Sequence, residues 1–255
     1  MNTLLESKQL KKNYRLDKNN EVSVLKDVDL RIHEGEFVSV MGPSGSGKST
    51  LLYNLCGMDR MSSGEVHFKD RELSRLSEKE LARLRLKEMG FVFQQIHLLS
   101  NLSIFDNIIL SGYLAKSTGR REVERRAREL MDITGIAELA GNSITQASGG
   151  QLQRVGICRA LINEPRILFG DEPTGALDSR SATEIMDLLR EVNGWGTTIM
   201  LVTHDVKVAA RSDRVLFMID GRIAAEKELG RYLDNGTSAR AREEELSGWL
   251  LERAA

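Results

Sequence analysis

Gly42-Pro43-Ser44-Gly45-Ser46-Gly47-Lys48-Ser49 follows a short apolar run, Phe37 to Met41, and opens a segment of helical pattern, Ser49 to Gly57. The spacing is G-x-x-x-x-G-K-[ST], placed where the pattern has meaning, with a strand before it and a helix after it. A triphosphate carries several negative charges and needs many donors without steric bulk. Glycines let backbone N–H groups turn inward and approach phosphate oxygens. The helix that begins near Lys48 adds the positive end of its dipole. Lys48 reaches the outer phosphates as a point charge, and Ser49 offers a hydroxyl to Mg²⁺, which keeps mostly water ligands otherwise. The expected nucleotide-binding set here is Gly42, Ser44, Gly45, Ser46, Gly47, Lys48, Ser49 and Thr50.

Outward from this loop the pattern is that of a sheet with helices on both sides. Leu4 to Lys12 and Val22 to Ile32 alternate as strands, with a polar turn from Leu16 to Glu21 between them. Glu65 to Lys69 reads as a strand after a Ser-Ser-Gly turn, residues 71–88 as charged and helical, and Phe91 to Phe93 as a short buried strand. From Ser100 to about Thr145 the pattern is mostly helical. Val123, Ala127, Leu130 and Met131 form one apolar stripe on an Arg/Glu-rich helix. Strands return at Arg166 to Gly170, Thr197 to Val202 and Arg214 to Ile219. Ala182, Ile185, Met186, Leu189 and Val192 mark the inner face of a helix, and Asp220-Gly221 turns a hairpin into Arg222 to Ala225. Apolar strands between helices indicate a parallel sheet buried on both faces. The helical block between about 95 and 147 is too long for a simple crossover and reads as an inserted subdomain. The last stretch, AREEELSGWLLERAA, reads as a polar amphipathic helix or a frayed tail.

Composition narrows the function. Lys plus Arg number 36 and Asp plus Glu 37 in 255 residues, a formal charge of −1, which removes the simplest basis for nucleic-acid binding. Aromatics at 5% leave little for base-stacking platforms. No run approaches the ~18 apolar residues of a membrane span, and the N-terminal stretch lacks the apolar core of a secretory signal. The two cysteines, Cys56 and Cys158, sit among apolar residues and fit a reducing cytosol. The expected location is therefore cytoplasmic.

A second site lies at Arg166-Ile-Leu-Phe-Gly-Asp171-Glu172, an apolar strand that ends in two carboxylates. Carboxyl ends of parallel strands face the ligand crevice. Beside a phosphate loop, Asp171 is placed to hold Mg²⁺ through water and Glu172 to deprotonate the attacking water.

Ala147-Ser148-Gly149-Gly150-Gln151, followed by LQRVGICRAL, resembles the signature of ABC transporter ATP-binding subunits, and the resemblance covers about residues 2–226. It implies an α/β P-loop NTPase of the ABC ATPase fold, with a parallel-sheet core, N-terminal antiparallel strands and an inserted helical subdomain. The implied division is an ATPase domain over 1–235, with the subdomain at about 95–160, and a helical tail over 236–255. By the same resemblance Tyr14 stacks on adenine, Gln94 senses Mg²⁺ and the attacking water, and Asp178 lies in a loop that crosses a dimer interface. His204 contacts the γ-phosphate and Glu172 is the general base. Ser148, Gly149, Gly150 and Gln151 open a second anion-binding helix start. The family uses them in a head-to-tail homodimer, where they clamp the ATP held by the partner copy's phosphate loop.

The resemblance further implies ATP and Mg²⁺ as cofactors, a membrane permease as partner, and a place on the inner face of the membrane through that permease. Ala147 stands where Leu is usual and Gly170 where a larger residue or Ala is common. Met89 to Gln94, Leu98-Leu99 and the run Asp171 to Ser179 are similar to the lipoprotein-release, macrolide-export and antimicrobial-peptide-resistance branch. Ile96, Leu98, Leu99 and Leu102 form an apolar cluster that is expected to meet the permease in part. The alternatives are a cell-division ATPase of the same subfamily and a soluble ABC ATPase. The second usually carries two ATPase domains or a long coiled coil, and neither pattern occurs here.

Overall fold

The computed structural model describes residues 2–17, 20–232 and 237–254. The chain divides into two compact units, Met1–Arg75 with Met200–Ala255, and Leu76–Ile199.

The first unit opens with β1 (Thr3–Asp17) and β2 (Asn20–His33), which pair antiparallel. The expected polar turn at 16–21 falls partly on residues 18 and 19, outside the described ones. The alternation in β1 is weak for a visible reason: the register shifts between Ser7 and Leu10. There Gln9 takes φ 46° and donates its N–H to Asp29 Oδ1. β3 (Phe37–Met41) is buried throughout, as a strand covered on both faces requires. It leads through the glycine loop into α1 (Lys48–Leu55). β4 (Ser63–Phe68) pairs with β1, and β5 (Arg71–Glu72) pairs back on β4. Residues 71–88 are thus not one helix. The first two complete a hairpin, Leu73–Arg75 makes a 3₁₀ turn, and the helix waits for a Ser77–Glu80 capping box.

In the second unit α2 (Glu78–Glu88) runs into β6 (Met89–Phe93). Then come α3 (Ile104–Ala115), α4 (Arg120–Ile133) and α5 (Gly149–Leu161). Residues 95–160 lie within this unit. Val123, Ala127, Leu130 and Met131 of α4 are all buried, so the sequence stripe is the packed face. β7 (Ile167–Asp171) lies parallel to β6, and α6 (Ser179–Gly194) follows. Leu188 joins the buried face of α6, while Ala182 is only half-buried.

β8 (Thr198–Val202) begins in the second unit and ends in the first. The first unit resumes with α7 (Val206–Ala209), β9 (Arg214–Ile219), β10 (Arg222–Glu228) and α8 (Thr237–Ala254). β9 lies parallel to β3 and antiparallel to β10. Asp220 and Gly221 both have positive φ, 48° and 79°, as the tight hairpin turn needs. Of the two expectations for the C-terminus, the helix is observed; the boundary at 235/236 lies outside the described residues. α8 is anchored by fully buried Leu246, packed with Met41, Ala209, Ala210, Val215 and Phe217. Its buried Arg242 donates to the carbonyls of Ala210, Ser212, Leu229 and Gly230 at 2.6–3.1 Å.

Candidate functional site

The first unit carries the glycine-rich loop. Leaving β3, the chain takes φ 152° at Gly42, 80° at Gly45 and 97° at Gly47. Gly42 and Gly47 are required by space as well as by conformation. A Cβ at Gly42 would lie 2.1 Å from the Met218 carbonyl oxygen, and one at Gly47 3.0 Å from that of Val24. α1 starts at Lys48 with Gly47 as its N-cap, which has no side chain to cap the first turn. Lys48 Nζ folds over the loop, donating to the carbonyls of Gly42 and Pro43 at 2.9 Å each. Ser44 and Gly45 are exposed; Ser49 and Thr50 are half-buried in the first turn of α1. Ser46 is buried, and its backbone is pinned: its N–H donates to Pro43 O, and its carbonyl accepts from the Gly221 N–H at 3.1 Å. The β9–β10 hairpin therefore braces the loop. By its sequence Asp220-Gly221 is only a turn. A Cβ at Gly221 would fall 2.2 Å from Val24 O, so the glycine serves close approach too.

Two further expected residues belong to this unit. Thr203 N–H donates to Val40 O at 3.1 Å, so the chain leaves β8 beside β3, and His204 is exposed just past that point. Thr203 Oγ1 accepts from Asp205 N–H, and Asp205 caps α7, which fixes the backbone on the far side of His204. Tyr14 stands in β1 opposite Val22, 39% exposed, with its hydroxyl donating to Asp59 Oδ2.

The second unit gathers the remaining residues. β7 is buried up to half-buried Asp171. Glu172 then takes φ 49°, a left-handed conformation that a side chain of its kind rarely adopts. The register of β6 on β7 sets Phe93 opposite Asp171, and Gln94 N–H donates to Asp171 O at 3.0 Å. Gln94 also lies against the turn after Glu172, since a Cβ at Gly175 would meet its Nε2 at 3.0 Å. Asp171, Glu172 and Gln94 thus converge at one strand end.

Ser148 caps α5 in a reciprocal box. Its Oγ accepts from Gln151 N–H at 3.3 Å, and Gln151 Oε1 accepts from Ser148 N–H at 2.8 Å. Gly149 and Gly150 keep the intervening turn bare. Cβ atoms there would sit 3.7 Å from Leu177 and 3.2 Å from Ser181, so this helix start lies against the start of α6. Asp178 caps α6, accepting from the N–H groups of Arg180 and Ser181 and from Ser181 Oγ. The Ser181 hydroxyl and these backbone donors hold its carboxyl below the usual aspartate range.

No group of three or more His, Cys, Asp or Glu suited to a metal ion occurs among the described residues. A cation here would need phosphate oxygens and water to complete its shell. Of the apolar cluster after Gln94, Leu99 is 47% exposed. Its backbone is held in place, because buried Asn107 bonds both its N–H and its carbonyl.

A family model described as ABC transporter matches residues 25–175. The macrolide export ATP-binding/permease protein MacB 1/2 of Paracoccus denitrificans is 48% identical over 208 residues, 81% of this chain and 31% of that protein. The bacitracin export ATP-binding protein BceA of Halalkalibacterium halodurans is 42% identical over 228 residues, 89% of each. The dimeric ATP-binding cassette MJ0796, solved in a post-hydrolysis state bound to ADP and Pi, superposes with a TM-score of 0.82. Its identity is 38%, with 89% of this chain and 100% of that one covered. The fold is that of the ABC ATPase cassettes. The chain spans about a third of the length of the macrolide-export relatives it matches.

Proposed function

The chain belongs to the ABC transporter family, and on that premise we propose that it is an ATP-binding and hydrolysing module that drives a membrane permease in export. The observation that carries this reading is the start of α1, entered through positive-φ Gly42, Gly45 and Gly47 with Lys48 folded over the loop, together with the glycine start of α5 beside Asp178. Each is suited to anionic oxygens. Gly42, Ser44, Gly45, Ser46, Gly47, Lys48, Ser49 and Thr50 hold the phosphates of ATP, and Tyr14 stacks on the base. Ser148, Gly149, Gly150 and Gln151 of a second copy close over the same nucleotide, with Asp178 at the junction. Two copies then face each other head to tail.

Ser49, Asp171 and Gln94 offer hydroxyl, carboxylate and amide oxygens, a donor set suited to Mg²⁺. When bound, Mg²⁺ supplies positive charge against the β- and γ-phosphates. Glu172 accepts the proton of the attacking water as the new P–O bond forms and the bond to the ADP oxygen breaks. Its left-handed backbone supports the role, since strain of this kind concentrates at functional positions. His204 and Lys48 donate to the γ-phosphate. ATP joins the copies and hydrolysis releases them, a two-state element governed by the γ-phosphate.

The bacitracin-export relative, matched along 89% of both chains, supports a separate permease. Exposed Leu99 on its pinned loop supports a docking surface after Gln94. The module then sits on the cytoplasmic face of the membrane through its partner. No helix among the described residues is long and apolar enough to cross a membrane. Macrolides and peptide antibiotics are the cargo classes that the relatives' names suggest.

The test is Glu172→Gln, which removes the base and keeps the size. ATP turnover is expected to fall about 10²-fold or more, and ATP is expected to trap a dimer visible by light scattering. Normal turnover, or a chain that stays monomeric with ATP and Mg²⁺, overturns the reading.

A further inference from the structure

Tyr14 does not stand alone in β1. Its hydroxyl donates to Asp59 Oδ2 at 2.5 Å, and Lys12 Nζ sits over its ring, 4.6 Å from the centroid. Lys12 closes the triangle: it is 8% exposed and donates to Asp59 Oδ1 and to the Arg60 carbonyl, both at 2.6 Å. Asp59 belongs to the turn that ends α1, where its N–H donates to Tyr53 O at 3.0 Å. Two more bonds tie this turn to the strand: Ser62 N–H to Lys11 O, and Asn13 N–H to Ser62 Oγ. The helix that begins with Lys48 therefore ends on the carboxylate that grips Tyr14.

A lone tyrosine on a hairpin rotates about χ1 and χ2, and stacking on it costs that freedom. Here the tip is tethered and one face is covered by a cation. The remaining face of the half-exposed ring is the one left for a flat partner.

We propose that Asp59 and Lys12 are positioning residues for base recognition: Asp59 fixes the ring of Tyr14 through its hydroxyl, and Lys12 closes one face so that the aromatic base of the nucleotide stacks on the other. This rests on Tyr14 being the base-binding aromatic. Burial works against the Asp59 carboxylate, but the Lys12 ammonium and the Tyr14 hydroxyl prevail and keep its pKa below the usual aspartate range. The tether is therefore intact at neutral pH. It also gives tyrosine a task that phenylalanine cannot perform.

The experiment compares ATP with inorganic tripolyphosphate, which has the phosphates and no base, by calorimetric titration of the full chain with Mg²⁺. Asp59→Ala and Tyr14→Phe are each expected to weaken ATP about tenfold and leave tripolyphosphate unchanged. The double variant is expected to be no weaker than Asp59→Ala alone, because that change already removes the acceptor of the Tyr14 hydroxyl. Equal losses for the two ligands would make Asp59 a brace of the hairpin only and overturn the proposal, as would additive losses or none. If Asp59→Ala fails to fold, Tyr14→Phe, which removes only a hydroxyl, carries the test. Tyr14→Ala separates the premise from the inference. If it leaves the preference for ATP over tripolyphosphate intact, Tyr14 is not the base-binding residue. If it abolishes that preference while Asp59→Ala does nothing, only the positioning role falls.

Discussion

Two of the glycine-bearing helix starts, those of α1 and α5, are built differently. α1 follows Gly47 in the left-handed region, which has no side chain to cap its first turn. α5 follows Ser148 in extended backbone, with Ser148 and Gln151 capping each other. A glycine entry supplies no side-chain cap, and the positive-φ loop is held by its surroundings. A Ser–Gln box takes the N–H groups of Ser148 and Gln151 and steadies the helix end without a ligand. The first start is a site shaped in advance by Met218, Val24 and Gly221 around it. The second is a self-capped helix end kept bare by what glycine omits, the Cβ atoms at 149 and 150.

This contrast breaks most sharply at Gly42. Gly42→Ala places a Cβ 2.1 Å from a backbone oxygen at φ 152°. The loop must move, and ATP affinity is expected to drop more than ~100-fold, with a clear loss of thermal stability. Calorimetric titration and a melting curve check both. The same change at the second start separates folding from recognition. Gly149→Ala meets its nearest heavy atom only at 3.7 Å, an ordinary contact. The melting temperature is expected to stay within about 2 °C of wild type. The ATP-trapped dimer in the Glu172→Gln background is expected to weaken ~10-fold, as read by analytical ultracentrifugation. A dimer of unchanged strength would remove α5 from the nucleotide. The smallest effect sharpens the self-capping half of the contrast. Ser148→Ala removes the cap and is expected to cost about 1 kcal/mol, or roughly 2–4 °C in Tm for a chain of this size. An unchanged melting curve would mean that the box contributes nothing.

What could be read in advance follows the range of the interactions. Phe37–Met41 and Arg214–Ile219 are strands at the residues expected, because uniformly apolar runs between turn signals have few other solutions. The stripe on α4 is a local period and is buried as read. Residues 71–88 misled, because a two-residue strand against β4 is decided by a hairpin and leaves no period in a charged segment. The candidate site divides the same way. The glycine pattern and the acidic strand end are contiguous and legible. The left-handed turn at Glu172, the brace from Gly221 and the grip of Asp59 on Tyr14 join residues that no spacing rule connects.

The order of residues alone settled that this chain holds a glycine-rich loop between strand and helix, a second glycine-opened helix and a carboxylate pair at a strand end. Each is a short-range pattern whose chemistry is carried by neighbours in sequence. Only the folded chain decided which side chains tie distant segments together. Arg242 ties α8 to four carbonyls, and Arg214 bonds Glu36, Glu226 and the carbonyl of Arg31 across the first unit. Such bonds form between residues up to about 180 positions apart. Their partners are chosen by packing, because a buried charge or polar group must be satisfied wherever the fold happens to bring a donor or acceptor within reach.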